Sequence, residues 1–120
     1  MSRHDPGQSS PPSIFRRTTD GITVVTLRGE IDYSSRDQLH EHLLPPHKAE
    51  RPRTVVDFAK ATFIDSATIN ALLAAHQAAD RAHGWLRLAG LQPPTRRVVE
   101  ITGLDTLIPC YPDLDQALRA

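Results

Sequence analysis

The sequence predicts one α/β domain, built on a mixed sheet of about four to five strands flanked by about four helices. Three observations predict this fold class. The chain has 120 residues, which suits a single hydrophobic core. Runs rich in β-branched residues occur along its whole length. Between most of these predicted strands lies a segment in which apolar residues recur with helical spacing. Such alternation of strands and helices is typical of parallel strands joined by crossover helices.

The chain begins with a predicted hairpin. Ile14 to Arg17 is a short candidate edge strand, and Asp20-Gly21 is a strong signal for a tight turn. Ile22 to Arg28 follows as a strand rich in β-branched residues. Gly29-Glu30-Ile31-Asp32 is expected to end that strand.

A helix and a buried strand are predicted next. Ser34 and Asp37 have the spacing of a capping box, so we expect Ser34 and Ser35 to cap a helix that Pro45-Pro46 interrupts. The apolar run from Thr54 to Phe58 predicts the next strand. The inner face of the helix is expected to carry leucines: Leu39, Leu43 and Leu44.

The second half of the chain continues the alternation. A long Ala/Leu-rich segment predicts a helix from Ser66 to about Ala82, which Gly84 stops. Trp85 to Ala89 alternates as a strand, and Thr95 to Thr102 predicts a helix with Gly103 in the C-cap position. The last elements are expected to be short: a strand at Leu107-Ile108 and a helix over Pro112 to Ala120.

Composition excludes several classes of protein. Acidic and basic residues balance at 14 each, and aromatic residues make up 5% of the chain, so neither a basic nucleic-acid surface nor a base-stacking platform is predicted. Cys110 is the only cysteine, which excludes an internal disulfide and a cysteine-based zinc site. We expect Cys110 to be a buried small hydrophobe. The six histidines lack a metal-binding arrangement, so neither a metal nor a cofactor is predicted.

The sequence also predicts a cytoplasmic location. No apolar run approaches the length of a membrane span, and no signal-peptide core is present. Residues 1–12 are rich in Ser, Pro and Gly, so we expect a disordered tail followed by one domain over residues 13–120. The oligomeric state is not predicted.

The Asp65-Ser66 pair lies at a predicted junction between a buried strand and a helix. A serine at a helix N-terminus can cap the helix, act as a nucleophile or carry a phosphate. The segment Ile64 to Thr68 lacks both glycines of a nucleophile elbow, and the phosphate-binding and dinucleotide fingerprints are absent. We therefore expect no enzymatic activity, and capping and phosphate carriage stay open.

An ordered set of motifs resembles the STAS domain family, and within it the bacterial anti-sigma factor antagonists. The set covers roughly residues 13–120. It comprises Gly29-Glu30-Ile31-Asp32, Val55-Val56-Asp57-Phe58, Phe63-Ile64-Asp65-Ser66, Arg96 to Leu104, and Asp115-Gln116-Ala117-Leu118. The resemblance implies a STAS-like mixed sheet and a function in transcription regulation by protein–protein interaction.

The resemblance also implies a phosphorylation switch. Ser66 matches the serine that an anti-sigma factor, itself a serine kinase, phosphorylates, and a phosphatase would reset the switch. The family usually continues Asp-Ser with a small hydroxyl residue, then glycine and leucine. Here Thr68 stands in place of glycine, and we expect its side chain to project where a partner backbone approaches. The implied partner-binding residues are Asp32, Asp65, Ser66, Ala67, Thr68 and Ile69.

Two other functions are compatible with parts of the sequence. One is a phosphorylation-independent interaction subunit of a larger transport or stress-signalling assembly, which the substitution of Thr68 for glycine favours. The other is a hydrolase that uses Ser66, which the missing glycines disfavour.

Overall fold

The computed structural model describes residues 13–32, 35–43 and 51–120, and its five strands form one mixed sheet in chain order. The predicted fold class is confirmed. The predicted tail, Ser34, Leu44 and the proline pair lie outside the described residues. The strands are β1 (Ser13–Thr19), β2 (Ile22–Ile31), β3 (Arg53–Ile64), β4 (Trp85–Ala89) and β5 (Cys110–Tyr111). The helices are α1 (Arg36–Leu43), α2 (Ser66–Arg81), α3 (Pro93–Thr102) and α4 (Leu114–Arg119).

Only the first pair of strands is antiparallel. Asp20 and Gly21 both have positive φ angles, 50° and 78°, as a tight hairpin turn requires, and β1 pairs with β2 through this turn. The pairs β2–β3, β3–β4 and β4–β5 are parallel. The carboxyl ends of β2 and β3 therefore meet at one edge of the sheet.

The sheet has a large core on one face and a small one on the other. Helices α1, α2 and α3 contribute Leu39, Leu72 and Val99 to the large core, where all three are fully buried. Helix α4 covers the opposite face, where Ala117 joins a small cluster with Ala89. Helix α2 has buried residues along most of its length, and they pack in the large core. This packing fixes the position of its N-terminus at the sheet edge.

Helix α4 is also held by a polar contact from β4. The Arg87 guanidinium donates a hydrogen bond to the Ala117 carbonyl oxygen at 3.0 Å. The same guanidinium lies over the Trp85 ring, with its carbon 3.7 Å from the ring centroid, and 5.8 Å from the centroid of Tyr111. The Arg87 side chain thus makes a cation–π interaction within the sheet and satisfies a carbonyl oxygen near the end of α4, and these two contacts tie α4 to β4.

Strands β2 and β3 are longer than predicted. The strand predicted to stop at Arg28 runs to Ile31, and the one predicted to stop at Phe58 runs to Ile64. The β2–β3 register shifts twice, and the first shift is accompanied by a hydrogen bond from the Ala59 N–H to the Asp57 carboxylate at 3.0 Å. Bulges of this kind break the alternation of buried and exposed residues, which is the signal for a strand.

The end of the chain corrects three other predictions. Helix α3 begins at Pro93 rather than Thr95, because prolines are favoured in the first helical turn. The last strand is Cys110–Tyr111 and not Leu107-Ile108. Leu107 and Ile108 follow a 3₁₀ helix, and of the two only Ile108 is buried in the core. Cys110 is exposed rather than buried.

Candidate functional site

Two acidic residues lie side by side at the carboxyl edge of the sheet. Ile31 pairs with Ile64 at the ends of β2 and β3, and Asp32 and Asp65 are the next residues of the two strands. Neighbouring strands are about 4.8 Å apart. The two loops that follow β2 and β3 therefore start as neighbours, and both half-buried aspartates belong to one surface.

Asp65, rather than Ser66, caps helix α2. Asp65 has extended backbone angles, and its side chain accepts a hydrogen bond from the Thr68 N–H at 3.1 Å. Ser66 is the first residue of the helix and is exposed. Of the roles left open for Ser66, capping is not the one it has, because the aspartate one residue earlier occupies the position from which a side chain reaches the unpaired N–H groups. The Ser66 hydroxyl is not used as a cap.

Thr68 points into the protein. Its side chain is 1% exposed, and its hydroxyl oxygen lies 3.2 Å from the Ile31 carbonyl oxygen and 3.3 Å from Asp65 Oδ1. The expectation that this side chain projects towards a partner is wrong, because the third residue of α2 faces the end of β2. Thr68 therefore belongs to the support of the site.

The other predicted partner-binding residues differ in accessibility. Ala67 is half-buried beside exposed Ser66. Ile69 is 8% exposed and packs in the large core. A partner could thus contact four of these residues directly: Asp32, Asp65, Ser66 and Ala67. Ile69 is buried beneath them and can only hold α2 in place. Their role in partner binding stays a prediction.

Phe63 is an exposed aromatic residue at the same edge, and sequence reasoning missed it as a surface feature. It pairs with Glu30 just after the second register shift in β3, and 46% of its surface is exposed. Exposed large apolar side chains beside a functional group are typical of protein-binding surfaces. Its exposure was hidden because the bulges displace Phe63 from the simple alternation that places strand residues inside or outside.

The start of α2 is suited to an anion. The helix has 16 residues, and its N-terminal end carries the positive pole of the helix dipole together with unpaired N–H groups. A phosphate on Ser66 would lie at this pole. The geometry can therefore accept a negative charge without unfolding the helix.

The described ranges contain neither a metal site nor a membrane-spanning helix. No group of three His, Cys, Asp or Glu side chains there is placed to hold a metal ion. No helix in those ranges is long and apolar enough to cross a membrane.

A small cavity lies between helix α3 and the start of β5. It measures about 110 Å³ and is bordered by Arg96, Asp105 and Cys110. Partial burial raises the pKa of the Cys110 thiol, the Asp105 carboxylate raises it further, and the Arg96 guanidinium opposes them. The thiol is therefore mostly protonated at neutral pH, which makes Cys110 a poor nucleophile.

Comparison with known proteins identifies the family. The sequence model of the STAS domain matches residues 14–117. An anti-sigma factor antagonist from Mycobacterium paratuberculosis has a similar structure, with a TM-score of 0.81 and 30% identity over 93% of this chain and 97% of that chain. BtrV of Bordetella bronchiseptica, which carries the name of an anti-sigma factor antagonist, is 28% identical over 101 residues, 84% of this chain and 87% of BtrV.

Another solved structure has the same fold. Bacillus SpoIIAA in its phosphorylated form matches with a TM-score of 0.70 and 19% identity over 89% of this chain and 97% of SpoIIAA. The resemblance stated from the sequence motifs is confirmed, and the chain belongs to the STAS domain family.

Proposed function

We propose that this protein is an anti-sigma factor antagonist switched by phosphorylation of Ser66. Unphosphorylated, it binds an anti-sigma factor that is a serine kinase, and a sigma factor is freed for transcription in the cytoplasm. The kinase then phosphorylates Ser66 and releases the protein. The observation that carries the proposal is the exposed Ser66 at the N-terminus of α2, whose hydroxyl is spared from capping by Asp65.

The phosphorylation step needs no catalytic group from this chain. The Ser66 oxygen attacks the γ-phosphorus of ATP, ADP leaves, and the hydroxyl proton passes to a base of the kinase. A phosphatase would hydrolyse the phosphoserine with water and return serine and inorganic phosphate. The protein acts by binding, and its own contribution is to present the hydroxyl in the correct position.

Release follows from charge at a packed surface. Phosphate adds roughly −1.5 to −2 charges beside two existing aspartates, Asp32 and Asp65. A partner surface complementary to the unphosphorylated edge must then desolvate the added charge or move away from it. Inside the free protein the helix dipole favours the phosphate, so the switch changes binding and leaves the fold intact.

A modest change in affinity is enough for switching. The sigma factor competes for the same anti-sigma factor, so the balance depends on the ratio of two affinities. A shift of about 1–3 kcal/mol, or roughly 5- to 150-fold, is a typical coupling between a modification and binding. One phosphate at the interface supplies a change of this size.

The direct test is phosphorylation in vitro. The protein is incubated with the kinase that copurifies with it and with ATP, and the modified residue is mapped by mass spectrometry. We expect one phosphate on Ser66 and none on Ser66→Ala, while both unphosphorylated proteins bind the kinase equally. Tight binding with an unmodified Ser66 would exclude the switch and support the phosphorylation-independent interaction subunit.

Phe63 is expected to anchor the partner. Replacing Phe63 by Ala removes an exposed aromatic side chain from the strand end that leads to Ser66 and should weaken kinase binding by about 2 kcal/mol. The free energy of unfolding should fall by only about 1 kcal/mol, because nearly half of the residue is exposed. Isothermal titration calorimetry measures the first value and urea unfolding the second.

The chain offers a matched control for this substitution. Phe15 lies on edge strand β1 and is 53% exposed, so Phe15→Ala removes the same side chain at a distance from Ser66. We expect the Phe15 variant to bind like wild type. Equal affinity of Phe63→Ala and Phe15→Ala would show that Phe63 lies outside the interface.

A further inference from the structure

The Thr68 hydroxyl lies between two acceptors that belong to different elements. One is the Ile31 carbonyl oxygen at the end of β2, at 3.2 Å, and the other is Oδ1 of Asp65, the cap of α2, at 3.3 Å. The Thr68 N–H donates to the same Oδ1 at 3.1 Å. The single hydroxyl proton is within reach of both acceptors and can be shared between them, so the hydroxyl links the strand that leads to Asp32 with the cap that precedes Ser66.

This link is buried and tertiary. A glycine at the same position could provide the N–H contact to Asp65, but it could not bridge to Ile31, which is 37 residues away in the sequence. Because Thr68 is 1% exposed, water cannot replace a lost partner easily, and an unsatisfied buried acceptor is costly. The contact is thus suited to holding two loops in one arrangement.

We propose that Thr68 is a positioning residue for the phosphorylation of Ser66. Its hydroxyl holds the Asp65 carboxylate and the end of β2 in one geometry, and this geometry fixes where α2 presents the Ser66 hydroxyl to the kinase. The inference rests on the proposed function. Its physical basis is that phosphoryl transfer depends on alignment of the attacking oxygen, so a small displacement of Ser66 slows the chemical step.

The hydroxyl and the methyl group of Thr68 can be tested separately. Thr68→Val keeps the shape and removes the hydroxyl, whereas Thr68→Ser keeps the hydroxyl and removes the methyl group. A purely structural role in packing predicts that Thr68→Ser is the more damaging change. The positioning role predicts the opposite order.

The first measurement is steady-state phosphorylation by the copurifying kinase. We expect Thr68→Val to lower kcat roughly 2- to 10-fold, with KM nearly unchanged. This is the rate change that corresponds to the free energy of one lost hydrogen bond. Thr68→Ser should restore kcat to within about twofold of wild type. A wild-type kcat in Thr68→Val, or a Thr68→Ser variant as slow as Thr68→Val, would overturn the inference.

The second measurement needs no kinase. Amide hydrogen exchange followed by NMR should show roughly 2- to 10-fold faster exchange at the start of α2 in Thr68→Val and wild-type exchange in Thr68→Ser. Unchanged exchange in Thr68→Val would overturn the positioning role. If Thr68→Val does not fold, Thr68→Ala compared with Thr68→Ser gives the same contrast.

The two measurements separate this inference from the proposed function. A wild-type protein that the kinase does not phosphorylate would contradict the proposed switch, and the exchange data would still decide whether Thr68 holds the two loops. A wild-type protein that is phosphorylated, together with a Thr68→Val variant phosphorylated equally fast, would retain the switch and reject the positioning role.

Discussion

Ser66→Asp is expected to weaken binding to the anti-sigma factor kinase by about 2–3 kcal/mol, or roughly 30- to 150-fold in Kd. The substitution places a permanent negative charge on an exposed residue beside Asp65, where the partner must approach. The same charge lies at the N-terminus of α2, where the helix dipole favours an anion by about 0.3–1 kcal/mol. The free energy of unfolding should therefore stay constant or rise while affinity falls. Calorimetric titration and urea unfolding measure the two effects.

A charge elsewhere on the same helix provides the matched control. Gln77 is an exposed residue in the C-terminal half of α2, and Gln77→Asp introduces the same charge about three turns away from Ser66. We expect this variant to bind like wild type. If Gln77→Asp weakens binding as much as Ser66→Asp, the effect is a general repulsion between the proteins and the switch is not local to Ser66. Ser66→Ala should bind normally, since it adds no charge.

The place of the candidate site was predictable from the sequence, but its internal arrangement was not. The strand-to-helix junction at Asp65-Ser66 follows from the change in hydrophobic periodicity, and the structure places Ser66 at the start of α2 as expected. The sequence left the cap undecided because both Asp and Ser are favoured caps, and their preferences are nearly equal. Only the observed contact between Asp65 and the Thr68 N–H decides between them.

The burial of Thr68 illustrates a second limit. Periodicity along α2 does not show which side of its first turn faces the end of β2, because that depends on the crossover and on the β2–β3 register. The register pairs Ile31 with Ile64 only after two bulges, and local sequence does not specify bulges. The acceptor that the Thr68 hydroxyl finds on Ile31 is therefore a consequence of topology.

The glycines that follow α2 and α3 look alike in the sequence and differ in the structure, because α2 already ends at Arg81 with Ala82 as its C-cap, so Gly84 does not stop that helix. Both Gly84 and Gly103 were predicted as helix terminators. Gly103 is the C-cap of α3 with a left-handed φ of 77°, and an added Cβ there would meet nothing within 4 Å. At Gly84 an added Cβ would lie 1.9 Å from the Pro52 carbonyl oxygen, well inside contact distance. The first glycine is needed for space and the second for conformation.

Gly84→Ala is consequently expected to lower the free energy of unfolding by at least about 3 kcal/mol, since a rigid backbone must shift to admit the methyl group. The Pro52 oxygen also accepts the Trp85 N–H hydrogen bond at 2.8 Å, so the shift would disturb the start of the β3–β4 pairing as well. Urea unfolding monitored by the fluorescence of Trp85 measures this loss.

Gly103→Ala is the matched control, because it makes the same chemical change where space is free. Its cost should be about 1 kcal/mol, the penalty for an alanine in left-handed conformation. The difference between the two variants isolates the steric term from the conformational one. If both variants lose the same free energy, the close approach of Gly84 to Pro52 does not constrain the fold. A large gap would instead show that the link between α2 and β4 is packed tightly against the residue before β3, so that the turn after α2 tolerates no side chain.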